Sequence, residues 1–85
     1  MSKNQTDTTI LTLAGIQTGQ HFRIKTVHGQ GEIRQRLIDL GFIKNEVGSV
    51  IREALLKDPI EVEIKGTRVS LRRSEARMID AEVCK

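Results

Sequence analysis

The sequence predicts a mainly β domain, a small barrel of about five strands with one short amphipathic helix and one or two helical turns. Three observations carry that expectation. Several short runs alternate apolar and polar residues, a single stretch has helical period, and glycine, asparagine and proline punctuate the joins between them.

The first run places Phe22 and Ile24 between His21, Arg23 and Lys25, as in a strand with one buried and one wet face. It runs into His28-Gly29-Gln30-Gly31, a loop with conformational freedom. The helix follows: Ile33, Leu37 and Leu40 fall at i, i+4 and i+7, while Glu32, Arg34, Gln35 and Asp39 point elsewhere. Gly41 supplies a left-handed stop. A second strand is read from Val50 onward. Beyond Asp58-Pro59, Ile60, Val62 and Ile64 alternate with Glu61, Glu63 and Lys65, and Val69 and Leu71 alternate with Arg68, Ser70 and Arg72. Lys65-Gly66 between these two runs predicts a tight hairpin, because its turn needs positive φ. Ser74 is expected to cap a helical turn through Glu75, Ala76 and Arg77. Ile79, Ala81 and Val83 then alternate with Asp80 and Glu82 in a closing strand.

An 85-residue chain is one domain. At that size it buries only about 60–65 per cent of its unfolded surface, so one compact core is within reach and a deep active-site cavity as well is not. Residues 1–9 contain no apolar residue after Met1 and read as a flexible tail, leaving 10–85 as the domain. No run approaches the roughly 20 apolar residues of a membrane span, and no signal-peptide core is present, so a cytoplasmic protein without direct membrane insertion is expected. The lone cysteine, Cys84, excludes an internal disulfide and agrees with a reducing compartment.

Chemistry-bearing residues are sparse. His21 and His28 are separated by a presumed strand and Cys84 lies near the end, so the sequence predicts no metal site: His21 is read as an outward strand residue, His28 as a loop residue and Cys84 as an exposed thiol, against the alternative of adventitious metal binding. Gly29-Gln30-Gly31 precedes a helix, where phosphate is attracted, but lacks the spacing of a P-loop and is read as a hinge. No serine, histidine and acid stand at a recognisable nucleophilic spacing, so no enzyme and no cofactor are expected. The net charge of +3 is mildly basic, with Arg34, Arg36, Arg68, Arg72, Arg73 and Arg77 around the helix and the last hairpin. A basic barrel can bind nucleic acid. Tryptophan and tyrosine are absent, however, and Phe22 and Phe42 are expected inside, so the stacking platform of single-strand binders is missing. Adjacent apolar residues stand at a turn only in Glu53-Ala54-Leu55-Leu56-Lys57-Asp58-Pro59. Turn tips are normally polar, so Ala54, Leu55, Leu56, Asp58 and Pro59 form the candidate partner-binding site; the alternative is that a leucine folds back onto the barrel.

The order of these segments resembles the FeoA family, the small SH3-like proteins of bacterial ferrous-iron uptake. The likeness covers roughly Leu11 to Val83: Leu13–Gly19 as the entry turn, the Gly-rich loop and "RQRLIDLGF" helix, the "ALLKDPI" tip, and "GTRVSLRRSEA". Asn45 departs from the usual glycine, Gly48 from an apolar strand residue, and Leu55 from a frequent proline. Asparagine is the next-best residue for a left-handed turn, whereas Gly48 suggests a bulge or a shifted strand start. The resemblance implies a non-enzymatic accessory protein that binds the membrane transporter FeoB, at the inner face of the membrane through that partner; self-association is compatible with it. The competing implication is a nucleic-acid-binding or transcription-regulatory module, since a similar SH3-like fold closes iron-dependent repressors. A repressor needs a helix-turn-helix, for which this chain has no room.

Overall fold

The computed structural model describes residues 10–53 and 58–84. The tail expected over 1–9 and the Ala54, Leu55 and Leu56 part of the hairpin tip therefore lie outside the described residues. The elements are β1 (Ile10–Thr12), a 3-10 turn (Leu13–Gly15), β2 (His21–Val27), α1 (Gly31–Asp39), β3 (Val47–Glu53), β4 (Ile60–Ile64), β5 (Thr67–Leu71), α2 (Arg73–Ala76) and β6 (Ile79–Cys84). The strands form one antiparallel sheet in the order β1-β6-β2-β3-β4-β5.

Alternation along each strand decides what faces inward. Phe22, Ile24 and Val27 of β2, Val50 of β3, Ile60, Val62 and Ile64 of β4, Val69 and Leu71 of β5, and Ile79 and Ala81 of β6 are all buried. Leu13, Ile16, Leu37, Phe42 and Ala76 complete this core. Among the described residues no polar or charged side chain is buried, so the interior offers nothing to polarise a substrate.

Four expectations need correction. A sixth strand, β1, pairs with β6 through Ile10–Glu82, Leu11–Ala81 and Thr12–Asp80; three residues are too few to show an alternation, and the pairing is tertiary. Ile33 is not part of the buried stripe but 49 % exposed. Only the C-terminal half of α1 packs on the sheet, where Leu37 is buried and Ile38 and Leu40 are half-buried. Ser74 does not cap α2, which begins two residues earlier than expected, at Arg73 after Arg72; the Glu75 carboxylate accepts the Arg72 N–H at 2.9 Å, and Asp58 Oδ1 accepts the Arg73 N–H at 2.9 Å. Finally, Gly48 sits in register opposite both Phe22 and Ile64, and the β3–β4 irregularity falls later, between Val50 and Arg52.

The turns follow the sequence. Lys65 and Gly66 both have positive φ, 54° and 75°, as the mirror-image two-residue hairpin requires. Asn45 has φ 74° and donates its N–H to the Ile24 carbonyl at 2.8 Å, docking the approach to β3 against β2. A side chain with a Cβ costs about 1–2 kcal/mol in this region unless, like asparagine, it can bond locally. Asn45→Ala is therefore expected to lower the thermal midpoint by about 4–8 °C, since about 1 kcal/mol moves a domain of this size by that much, while Asn45→Gly leaves it unchanged or higher. Calorimetric scans of the two variants check this; equal losses would mean that the asparagine side chain, not the backbone conformation, is what matters.

Candidate partner-binding surface

Arg73 ties the root of the β3–β4 hairpin to the entry turn and to α2. Arg73, at the start of α2, donates from Nη2 to Glu53 Oε2 at 2.7 Å and from Nη1 to the Ala14 carbonyl at 2.9 Å, while its backbone N–H goes to Asp58. Glu53 ends β3 and Asp58 precedes β4, so the guanidinium and its own peptide hold both arms of the hairpin and the entry turn together. Charge-assisted bonds of this kind are stronger than neutral ones, and the Arg73–Glu53 pair is only about a quarter exposed, so solvent screens it incompletely. Of the candidate tip residues, Asp58 and Pro59 are described; both are exposed, and the peptide bond between them is cis. The described ends of the hairpin arms, Glu53 and Asp58, thus share one anchor in Arg73.

Two open grooves flank this root of the hairpin. One, of about 380 Å³, is lined by Arg36, Asp58, Pro59, Ser70, Arg72 and Glu75. The other, of about 430 Å³, runs along Ala14–Thr18 beside Glu53 and Arg73. Both are polar and shallow, with no buried acid, base or nucleophile, which suits recognition of another surface rather than turnover of a small molecule.

The basic residues are less available than the sequence implies. Besides Arg73, Arg36 is paired with Glu75 across α1 and α2, and Arg34 Nε donates to the Val27 carbonyl at 3.2 Å. Arg34 and Arg73 thus fasten a helix each to the sheet, and Arg36 ties the two helices to each other. Arg68, Arg72 and Arg77 stay exposed. Phe22 and Phe42 are fully buried, so neither is presented to a base.

His28, read as a loop residue, lies just after β2 and donates from Nε2 to Asp80 Oδ2 at 2.7 Å on the surface. His21 is exposed on β2, as expected. Its position relative to Cys84 is not: the two are directly opposite in the β2–β6 pairing. Residues 63 positions apart in sequence become neighbours only through the register of the closing strand, and no local signal gives that register. Among the described residues, no group of three or more histidines, cysteines and carboxylates is gathered as a metal centre.

Comparison with known proteins turns on the span of the match. The FeoA domain pattern covers residues 11–83. The chain belongs to the FeoA domain family. It is 34 % identical over 73 residues to an Fe(2+) transport protein A/Fe(2+) transporter FeoB fusion protein of Porphyromonas gingivalis, a match that takes in 86 % of this chain and 9 % of that protein. It is 33 % identical over 73 residues to a putative Fe(2+) transport protein A of Campylobacter jejuni, covering 86 % of this chain and 99 % of that one. Among solved structures, the FeoA protein of Chlorobium tepidum superposes with a TM-score of 0.83 at 32 % identity, over 88 % of this chain and 71 % of that chain. The zinc-complexed FeoA of Stenotrophomonas maltophilia, described as a prokaryotic SH3-domain protein, does so at 0.74 and 25 % identity over 89 % of each. The sheet and helices of this FeoA-family chain are thus an SH3-like arrangement. No helix among its described residues is long and apolar enough to cross a membrane.

Proposed function

We propose that this FeoA-family protein is a cytosolic, non-enzymatic accessory protein of ferrous-iron uptake that acts by binding a FeoB-type membrane transporter. One observation carries the reading: in the Porphyromonas gingivalis relative, a segment similar to 86 % of this chain belongs to an Fe(2+) transport protein A/FeoB fusion, one polypeptide with the transporter. Covalent linkage raises the effective concentration of two modules that work together, and separate chains need a binding surface to do the same. The shallow polar grooves and the apolar interior support a binding role over a catalytic one. The docking site we assign is the β3–β4 tip, Ala54, Leu55, Leu56, Asp58 and Pro59, on the base that Arg73 fixes.

The test is capture of the transporter, in detergent-solubilised membranes containing FeoB from the same cell, by the immobilised full chain. Leu55→Ser or Leu56→Ser should leave the thermal midpoint nearly unchanged and weaken capture, since interface anchors commonly cost about 2 kcal/mol or more on truncation, roughly thirtyfold in affinity. Arg72→Ala, an exposed charge beside the tip, serves as the electrostatic control and should alter mainly salt dependence. Normal capture by both leucine variants would move the docking surface elsewhere; no capture by the wild type would sink the transporter reading itself.

A further inference from the structure

Between α1 and the end of β2 runs a third groove, of about 320 Å³, which shares no lining residue with the two beside the hairpin. Its apolar lining is Val27, Ile38, Phe42 and Ile43. Val27 and Phe42 are buried, Ile38 is half-buried, and Ile43 is a large apolar side chain left 39 % exposed. The elements on both sides are held in place. Arg34 Nε donates to the Val27 carbonyl at 3.2 Å, which fastens α1 to β2. The Asn45 N–H goes to the Ile24 carbonyl and the Ile24 N–H to the Glu46 carbonyl, both at 2.8 Å, which fastens the segment following Ile43 and Lys44 to the same strand. A groove between fixed elements receives an occupant without first being ordered, and that lowers the entropic cost of binding.

The charge around this apolar lining has one sign. Lys25, Arg34 and Lys44 line the groove and no carboxylate does, whereas each of the two grooves beside the hairpin includes a glutamate. Lys25 Nζ is engaged by Glu82 at 3.0 Å, but among the described residues no carboxylate pairs with Arg34 or Lys44, both of which are exposed. Unpaired cations beside exposed apolar area call for an occupant that is acidic as well as apolar. The volume is near the lower end of the roughly 300–1,000 Å³ of ligand clefts, room for one or two large side chains. A flat bilayer surface cannot enter such a recess, and with Phe42 at 0 % exposure no ring is offered for a nucleic-acid base to stack on. A polypeptide segment meets both requirements, because it can place an apolar anchor in the groove and carboxylates on either side of it.

We propose that the groove between α1 and β2 is a docking site for an acidic peptide segment that presents a large aliphatic or aromatic side chain between carboxylates. The apolar side chain covers Ile38 and Ile43, and the carboxylates pair with Arg34 and Lys44. The groove contains no residue of the β3–β4 tip, so it stands or falls separately from the transporter reading.

The probe is a short fluorescent peptide with leucine and phenylalanine set between aspartates and glutamates, titrated into the full chain and followed by anisotropy. Saturable binding that weakens as salt rises is expected, with amide resonances shifted at residues 25–27, 34–38 and 42–44 and unmoved at Glu53 and Asp58. Replacing the leucine and phenylalanine of the probe by serine, or its acids by the corresponding amides, should each weaken binding by about tenfold or more. Ile43→Ser should cause a similar loss with an unchanged thermal midpoint. Lys44→Glu should as well, while Arg77→Glu, the same change of net charge on an exposed residue outside the groove, should bind as the wild type does. Phosphatidylglycerol vesicles should leave the chain in the supernatant on sedimentation. No saturable binding, a serine-substituted probe that binds as tightly as its parent, equal losses in Lys44→Glu and Arg77→Glu, or sedimentation with the vesicles that Ile43→Ser abolishes would each overturn the proposal.

Discussion

Leu37→Ala should destabilise the protein by about 2–5 kcal/mol, the usual cost of truncating a large buried aliphatic side chain to a methyl group. Leu37 is the one fully buried residue of α1, at 0 % exposure. The helix offers the sheet little else: Ile33 projects into solvent, and Ile38 and Leu40 are half-covered. The Leu37 carbonyl also accepts the Phe42 N–H at 3.1 Å, so displacement of this turn disturbs the second of the two large aromatic core residues. Total stability of a small domain is about 5–15 kcal/mol, and the variant should lose a large fraction of it. Urea melts give the answer directly. A midpoint well below the wild type with an unchanged slope is expected; coincident curves would mean that the helix contributes nothing to the barrel.

The sequence showed clearly those features whose cause is local. Ile60, Val62 and Ile64 against Val69 and Leu71 declared two strands, and Lys65-Gly66 declared their turn, because period and φ are properties of a few neighbouring residues. Asn45 in place of glycine was likewise readable from its backbone chemistry. What escaped was set at long range. β1 exists because β6 offers it an edge, Ile33 is exposed because only the second half of α1 is covered by the rest of the fold, and α2 starts at Arg73 because Asp58, fifteen residues earlier, accepts its N–H.

The candidate surface divides in the same way. That the β3–β4 tip is unusually apolar is plain from Leu55-Leu56, whereas its fixed base is not, since Arg73 reaches Glu53 and Ala14 across 20 and 59 positions. Arginines counted as one basic cluster turned out to include three that hold the fold together. The His21–Cys84 pairing was the largest omission. A histidine and a cysteine 63 positions apart carry no spacing that suggests they are neighbours, and only the sheet order makes them adjacent.

Gly48→Ala is expected to cost about 3 kcal/mol, the upper end of the usual range for overpacking a close-packed interior. Family resemblance leads one to expect an apolar side chain here, so the substitution looks restorative; the geometry gives it the opposite sign. A Cβ at position 48 would stand 2.4 Å from the Glu63 carbonyl oxygen of β4 and 2.7 Å from Cζ of Phe22. The Phe22 ring therefore occupies the volume that a side chain on β3 would fill, and the bare glycine backbone is what lets it lie there. Two contacts of different kinds follow, and they respond differently to relief. Truncating the ring in Phe22→Leu removes the second, but the first is to backbone, which moves only if β3 and β4 separate. The double variant Phe22→Leu/Gly48→Ala should accordingly be more stable than the sum of the single losses predicts, by about 0.5–3 kcal/mol as for residues in direct contact, yet remain below Phe22→Leu alone. Chemical denaturation of the four proteins of this cycle measures both quantities. Additivity would show that Phe22 and position 48 do not compete for space, and a neutral Gly48→Ala would show that β3 can carry a side chain there after all.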